Sequence, residues 1–272
     1  MSLDKKDVRR AFHEDEFYPL FQPQVSLSTG QLNGFEALAR WNHATLGAIP
    51  PSAFLPVLQS HGVINALTQR ILEKTFAAAP LLPDSVRLSV NISPRQFLDT
   101  SIPGRVADAA SRENFPLHRL TIEMTESALI EDLDVARAVA CELKGLGCRL
   151  ALDDFGKGYS SFLHLLAMPF DELKVDRAFV CAMNENQASH KIVSAIISLG
   201  ADLGLATAAE GVETQAQAAM LREMGCELAQ GWLYGAPASA HSLPEAVAAL
   251  RGVRGNLAPA FSRTQAACAV EA

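Results

Sequence analysis

Apolar residues follow two patterns along this chain. Short alternating or continuous apolar runs predict strands, and longer segments with apolar positions three and four residues apart predict helices. The predicted strands are 18–27, 33–41, 86–92, 120–124, 149–153, 172–175, 205–208 and 226–229. The predicted helices lie near 4–14, 52–60, 63–79, 102–112, 132–146, 159–167, 187–203, 213–224 and 242–250.

The order of these elements predicts an α/β fold. The turn Ser28-Thr29-Gly30 is typical of a hairpin, so the first strand should run antiparallel to the second. Strands and helices then alternate, which implies parallel strands with helical crossovers. Eight strands favour a barrel, and a doubly wound open sheet is the alternative. We expect one domain over 1–251 and a poorly ordered tail over 252–272, which is rich in small residues.

Composition and charge exclude several classes of protein. The chain has 272 residues, of which 49% are hydrophobic and 19% are charged, as in ordinary globular domains. Its net charge of −7 argues against general DNA binding. It has neither an apolar run long enough for a membrane helix nor a start like a signal peptide, so we expect a cytoplasmic location. The five cysteines include no CxxC pair, which favours reduced thiols.

Polar residues stand at the carboxyl ends of six predicted strands. Strand alternation turns them away from their apolar neighbours and, in a barrel, towards the axis. That rim is where barrel enzymes build their active sites. The residues are Glu36, Asn91, Glu123, the pair Asp153 and Asp154, Lys174 and Glu210.

Five carboxylates beside one lysine indicate a site for cations. Carboxylates packed within several ångströms repel one another strongly unless cations neutralise them. All-oxygen ligands select Mg²⁺ or Mn²⁺, or Ca²⁺, over Zn²⁺. Asp153 could bridge two ions while Asp154 holds the second, and two such ions clamp a phosphodiester for in-line attack. Taken singly, each residue has an ordinary reading, such as an ion-paired strand end or a helix cap, so the hypothesis rests on their joint occurrence.

The same residues resemble the EAL domain family. The motifs, in the family's order, are Glu36-Ala37-Leu38 with Arg40, Asn91-Ile92-Ser93, Glu123-Met124-Thr125-Glu126, Asp153-Asp154-Phe155-Gly156, Lys174-Val175-Asp176, Glu210-Gly211-Val212-Glu213 and Gln230-Gly231. The match runs from about Asp4 to Leu250. One such motif is weak, but seven with suitable spacing are specific.

The resemblance implies a TIM-like (β/α)8 barrel that opens cyclic-di-GMP, a bacterial second messenger, to linear pGpG with Mg²⁺ or Mn²⁺. Ca²⁺ would inhibit. Glu36, Asn91, Glu123 and Asp153 would bind one ion, and Asp153, Asp154 and Glu210 the other. Lys174, Glu210 and Asp153 are the implied catalytic residues, with Lys174 positioning the attacking water and Glu210 a candidate general base. Arg40 would hold a phosphate, with Gln22 and Gln230 as candidate substrate contacts.

The resemblance also implies a means of control. Glu126 would hold the loop from Asp154 to Ser161, which contains Phe155 and Gly156, in its competent shape. We therefore expect a homodimer, because this loop lies beside the family's dimer interface. Sensory or GGDEF domains are the expected fused or coupled partners. Gln59-Ser60 depart from two glutamates common in the family, without touching an expected metal ligand.

Three other functions compete with hydrolysis. An inactive EAL receptor would bind cyclic-di-GMP and signal by shape, but such members usually lose metal ligands, which are all present here. Another metal-dependent barrel enzyme, such as one that forms enolates, would share the acidic rim without these motifs. A purely regulatory, partner-binding domain would tolerate Glu36→Ala.

Overall fold

Eight strands close into a barrel in the computed structural model, which describes residues 3–125, 132–156 and 162–251, and a ninth short strand pairs with the second at the edge. The strands are β1 (Phe17–Ser26), β2 (Leu32–His43), β3 (Gly47–Ile49), β4 (Arg87–Asn91), β5 (Leu120–Thr125), β6 (Arg149–Phe155), β7 (Glu172–Val175), β8 (Ala206–Ala209) and β9 (Leu228–Gln230). The α-helices of the described ranges are α1 (Lys5–His13), α2 (Pro51–Ser60), α3 (Ile64–Ala77), α4 (Ile102–Arg112), α5 (Leu133–Gly145), α6 (Phe162–Ala167), α7 (Arg177–Ala182), α8 (Gln187–Leu203), α9 (Gln215–Glu223) and α10 (Leu243–Arg251).

The barrel closes through its first strand. β1 lies between β2 and β9 and is antiparallel to both. The order β2, β4, β5, β6, β7, β8 and β9 is parallel throughout. The carboxyl ends of these seven strands therefore share one mouth of the barrel with the amino-terminal half of β1. This confirms the predicted TIM-like barrel with an antiparallel first strand, and the doubly wound alternative is wrong.

The two faces of the strands have different chemistry. Outward residues such as Leu88, Ile122, Leu150 and Leu173 are completely buried under the helices. Their burial supplies the main driving force for the barrel, at about 25 cal/mol per Å² of apolar surface. The inward positions are largely polar, as the alternation predicts.

Asp176 begins the helix that follows β7. Its side chain accepts a hydrogen bond of 2.8 Å from the backbone N–H of Ala178, and the residue is buried. Such an N-cap satisfies a helix N–H group that would otherwise have no partner. The last residue of the Lys174-Val175-Asp176 motif therefore has a structural task immediately after the carboxyl end of β7.

Three differences between the structure and the predicted elements bear on the fold. β3 is only three residues long and pairs with β2, and α7 has six residues; both are too short to show a periodic pattern. The last barrel strand is Leu228–Gln230 and not 226–229, because Gln230 is polar yet faces the interior of the barrel. The tail 252–272 lies outside the described residues.

No helix in the described ranges is both long and apolar enough to cross a bilayer.

Two buried hydroxyls test the packing of the core. Tyr234 is 1% exposed and Thr75 is fully buried, and neither hydroxyl has a hydrogen-bond partner among the described residues. Because a buried polar group without a partner costs about 1–3 kcal/mol, Tyr234→Phe should raise the free energy of unfolding by about 1 kcal/mol. Valine has nearly the same shape as threonine, so Thr75→Val should also raise the free energy of unfolding. Urea unfolding measures both, and a loss of stability in both variants would show that the hydroxyls are hydrogen-bonded, for instance to buried water.

Candidate active site

Lys174 lies at the centre of the barrel mouth. Its Nζ atom is 2.5 Å from Glu123 Oε2 and 2.5 Å from Glu210 Oε1. Asp153 Oδ1 lies at 3.4 Å and Glu36 Oε2 at 3.6 Å. The lysine side chain is 1% exposed. One buried ammonium thus stands among four carboxylates that come from four different strands or strand ends.

Two side-chain amides hold the Glu36 carboxylate. Asn91 donates from Nδ2 to Glu36 Oε1 at 2.6 Å, and Gln230 donates from Nε2 to Glu36 Oε2 at 2.6 Å. Gln230 also donates to Gln22 Oε1 at 2.9 Å. Both oxygens of Glu36 therefore have defined partners. The structure brings Gln22 and Gln230 to the predicted site, and their contact with substrate stays a prediction.

Strand register explains why these residues meet. Asn91 of β4 lies directly opposite Glu123 of β5, and Gln22 of β1 lies opposite Glu36 of β2. Glu210 follows β8 and is anchored by a hydrogen bond from its backbone N–H to the Val175 carbonyl. Regular strand pairing thus places Asn91 and Glu36, and a backbone hydrogen bond fixes Glu210 at the end of β8.

A β-bulge in β6 brings two acids opposite one lysine. Leu152 pairs with Leu173 and Phe155 pairs with Val175, so Asp153 and Asp154 both stand across from Lys174. Asp154 has a φ of 58°, in the left-handed region that non-glycine residues rarely adopt. Its backbone N–H donates to Asp153 Oδ1 at 2.9 Å. Bulges and strained residues of this kind cluster at active sites.

Burial and mutual repulsion set the protonation of the cluster. Burial, with repulsion from Glu36, raises the pKa of Glu123 well above its usual range. Burial, with repulsion from Asp153, raises the pKa of Glu210 to about 8, although Lys174 opposes the shift. For Glu36 burial acts in the same sense, but Lys174 and the two amides outweigh it and lower its pKa. Burial disfavours the Lys174 ammonium, but the carboxylates outweigh it and hold the pKa of Lys174 above its usual range.

The donor set fits hard divalent cations. If all four contacting carboxylates are ionised, one ammonium leaves an excess of three negative charges. Glu123 Oε1 is buried without a hydrogen-bond partner in the described residues. These oxygens are ligands that Mg²⁺ and Mn²⁺ prefer. Within the same ranges, no three Asp, Glu, His or Cys side chains form a metal cage as they stand, and four carboxylates contact the Lys174 ammonium instead.

Arg40 stands apart from the cluster. Its guanidinium donates to the Ala39 carbonyl at 2.9 Å, and burial lowers its pKa. It forms no ion pair within the described ranges. A cavity of about 360 Å³ lies beside it, between β2, β4, α2 and α3, with Asn91 and Gln59 in its wall. The departure at Gln59 therefore lines a cavity next to the site, although it touches no metal ligand.

The predicted control loop is described only in part. Glu126 and residues 157–161 lie outside the described residues. Phe155 is buried, and Gly156 has a φ of 101°. This backbone angle favours glycine, and a Cβ at Gly156 would in addition come tightly against the Phe179 ring, at 3.1 Å.

Sequence reasoning missed one member of the site. Gln24 is 5% exposed and donates from Nε2 to Gln230 Oε1 at 3.0 Å. The alternation Gln22-x-Gln24 in β1 signals an inward polar face, but nothing in the sequence says that this face meets Gln230.

A family model and the sequences of known proteins point to the same family for this chain. The model of the EAL domain family matches residues 5–237. MucR of Pseudomonas aeruginosa, a bifunctional diguanylate cyclase/cyclic di-GMP phosphodiesterase, is 36% identical over 246 residues, which cover 89% of this chain and 36% of MucR. The cyclic di-GMP phosphodiesterase RocR of the same organism is 35% identical over 234 residues, 85% of this chain and 60% of RocR. The chain thus spans less than two thirds of either relative.

Solved structures share the fold. The PaMucR phosphodiesterase in complex with c-di-GMP superimposes with a TM-score of 0.83 at 35% identity, covering 88% of this chain and 98% of that one. The EAL enzyme Bd1971, bound to cAMP and cyclic-di-GMP, gives a TM-score of 0.84 at 27% identity, covering 89% of this chain and 67% of that one. The match to the family model, the relatives and the barrel agree, and this chain belongs to the EAL domain family.

Proposed function

We propose that this EAL domain is a phosphodiesterase that hydrolyses cyclic-di-GMP to linear pGpG with two Mg²⁺ or Mn²⁺ ions. The observation that carries the proposal is the convergence of Glu36, Glu123, Asp153 and Glu210 on the buried Lys174 at the barrel mouth. RocR and the solved PaMucR are named as phosphodiesterases, which supports the same substrate here.

The excess negative charge explains why cations are required. An acidic basin would repel the phosphates of the substrate, so the basin must be neutralised before it can bind them. Glu36, Asn91, Glu123 and Asp153 would hold one ion, and Asp153, Asp154 and Glu210 the other. When bound, the two cations would lower the pKa of water and neutralise charge that develops on the phosphate.

The residues of the chain would divide the remaining chemistry. Water attacks phosphorus in line with the departing 3′ oxygen, the P–O3′ bond breaks, and the 3′ oxygen takes up a proton. Lys174 orients the attacking water and offsets negative charge in the transition state. Glu210 would accept a proton from the attacking water in its ionised form. In the cation-free site burial raises its pKa to about 8, so it holds a proton at neutral pH, and bound cations would favour the ionised form. Arg40, without a carboxylate partner in the described ranges, is free to pair with a phosphate.

Regulation and context follow from the family resemblance alone. We propose that the domain acts in the cytoplasm as a homodimer, and that Glu126 and the loop after Phe155 transmit its control. The match covers only 36% of MucR, so this relative has further segments beside its EAL domain. We propose that the present domain is likewise coupled to sensory or GGDEF domains.

An inactive cyclic-di-GMP receptor is the second candidate. One observation favours it: Lys174 occupies the centre of the carboxylates, and the described residues form no metal cage. Binding of cyclic-di-GMP with no release of pGpG under Mg²⁺ or Mn²⁺ would decide for the receptor.

Turnover measurements test the ligand assignments. The wild-type chain should release pGpG with Mg²⁺ or Mn²⁺ and be inhibited by Ca²⁺. Glu36→Gln and Asp153→Asn should each lose at least about 100-fold in activity, because each removes a metal ligand. Glu172→Gln is the matched control, since Glu172 is a buried carboxylate on the inward face of β7 but away from its carboxyl end. Full activity in either ligand variant would contradict the assigned roles.

The role of Lys174 is tested by separating kcat from KM. Lys174→Met should lower kcat by about 10²–10³-fold, as expected when a transition-state charge partner is lost. KM should change much less, because the proposed contact acts mainly on the transition state. The measurement is steady-state pGpG release at saturating Mn²⁺. A rise in KM with kcat unchanged would show that Lys174 only binds the substrate.

The raised pKa of Glu210 predicts how stability depends on pH without metal. Folded Glu210 holds its proton up to a pH of about 8, whereas the unfolded group releases it near its ordinary value of 4.5. Between these values the folded state binds more protons, so the free energy of unfolding should fall as pH rises, by an amount on the order of a few kcal/mol. The pKa values of Glu123 and Glu172 are raised in the same direction.

Melting temperatures in chelator between pH 5 and pH 8 measure this dependence. Glu210→Gln cannot ionise and should make the slope shallower. Mg²⁺ should also flatten it, because cations replace the protons. An unchanged slope in Glu210→Gln would show that Glu210 does not titrate in this window.

A further inference from the structure

We infer that Gln24, deep in the barrel, is a positioning residue that fixes the orientation of the Gln230 amide and so presents an N–H group to Glu36. The inference deepens the proposed function and rests on it for its effect on catalysis. It gives a role to a residue that touches neither an expected metal ligand nor the expected substrate.

The first step concerns what Glu36 requires. An ionised carboxylate only accepts hydrogen bonds, so Gln230 must face it with its NH₂ group and not with its oxygen. The Gln230 Nε2 to Glu36 Oε2 distance of 2.6 Å is short, as in charge-assisted hydrogen bonds. The reversed amide would place two acceptors against each other at this distance.

The second step concerns what holds the amide in that orientation. One hydrogen of Gln230 Nε2 goes to Glu36 and the other to Gln22 Oε1. Its Oε1 atom then needs a donor, and Gln24 Nε2 supplies one at 3.0 Å. With the Gln24 amide in its observed orientation, reversal of Gln230 would set the NH₂ group of Gln230 against the NH₂ group of Gln24. Gln24 thus disfavours the amide orientation that Glu36 cannot accept.

The third step concerns why Gln24 is rigid enough to do this. Gln24 and Gln230 are direct partners in the antiparallel pairing of β1 with β9. Gln24 is 5% exposed and Gln230 is 6% exposed, so water does not readily replace either amide. A buried network in which every member has a partner is stiff, and the loss of one donor disturbs its neighbours.

A double-mutant cycle tests the inference on the full chain. The variants are Gln24→Met, Gln230→Met and the double variant, with Gln31→Met in the exposed hairpin turn as the matched control. The direct readout is Mn²⁺ binding, followed by the electron paramagnetic resonance signal of free Mn²⁺. Gln24→Met should weaken Mn²⁺ binding by about 10-fold, the lower end of the range for residues that orient a metal ligand. At saturating Mn²⁺ it should lower kcat much more than KM for cyclic-di-GMP.

The decisive result is non-additivity. If Gln24 acts through Gln230, Gln24→Met should have no further effect in the Gln230→Met background. Additive losses, or Gln24→Met equal to wild type, would overturn the inference. Gln24→Glu provides a second variant: its carboxylate cannot donate when ionised, so it should weaken Mn²⁺ binding at least as much as Gln24→Met, and milder behaviour would also overturn the inference.

Melting of the metal-free variants separates this inference from the proposed function. If wild type neither binds Mn²⁺ nor releases pGpG, the proposed function fails. The same cycle measured by melting in chelator still reports whether positions 24 and 230 are coupled. Coupling there supports the amide orientation, and its absence overturns it.

Discussion

The contact of a single buried ammonium with several carboxylates governs the barrel mouth. Lys174 cannot be solvated by water, because its side chain is 1% exposed, so its charge is tolerable only beside the acids that surround it. Four acids surround this one ammonium, and two of them, Glu123 and Glu210, have raised pKa values. The net negative charge of the site therefore depends on how many protons these acids hold.

The antiparallel first strand matters for this balance. In an all-parallel barrel, the strand between β9 and β2 would run the other way, and its residues would meet those strands in a different register. Here the antiparallel register places Gln22 opposite Glu36 and Gln24 opposite Gln230. Neutral amides thus cover one side of the acidic cluster. They supply donors without adding charge, and together with the larger effect of Lys174 they lower the pKa of Glu36.

Alternation and position within a barrel were enough to find much of the site from sequence. Glu123 and Asp153 were predictable because each ends an apolar strand and points away from its apolar neighbours. The distances from Lys174 to its partners were not predictable, since they depend on how four strands pack. Gln24 was missed for the same reason: its partner Gln230 is 206 positions away, and a pairing of that span leaves no local pattern. The short helix α7 and the three-residue β3 were missed because they hold too few residues to show a period.

The bulge in β6 lets one strand bring two adjacent acids to the same partner residue, Lys174. A regular strand presents one side chain in two to a given face, so adjacent acids would point in opposite directions. The extra residue between Leu152 and Phe155, together with the left-handed backbone of Asp154, removes that restriction locally. Deleting Asp154 would restore regular pleating and leave a single acid opposite Lys174. The acidity of the mouth is therefore encoded as much in the length of this segment as in its composition.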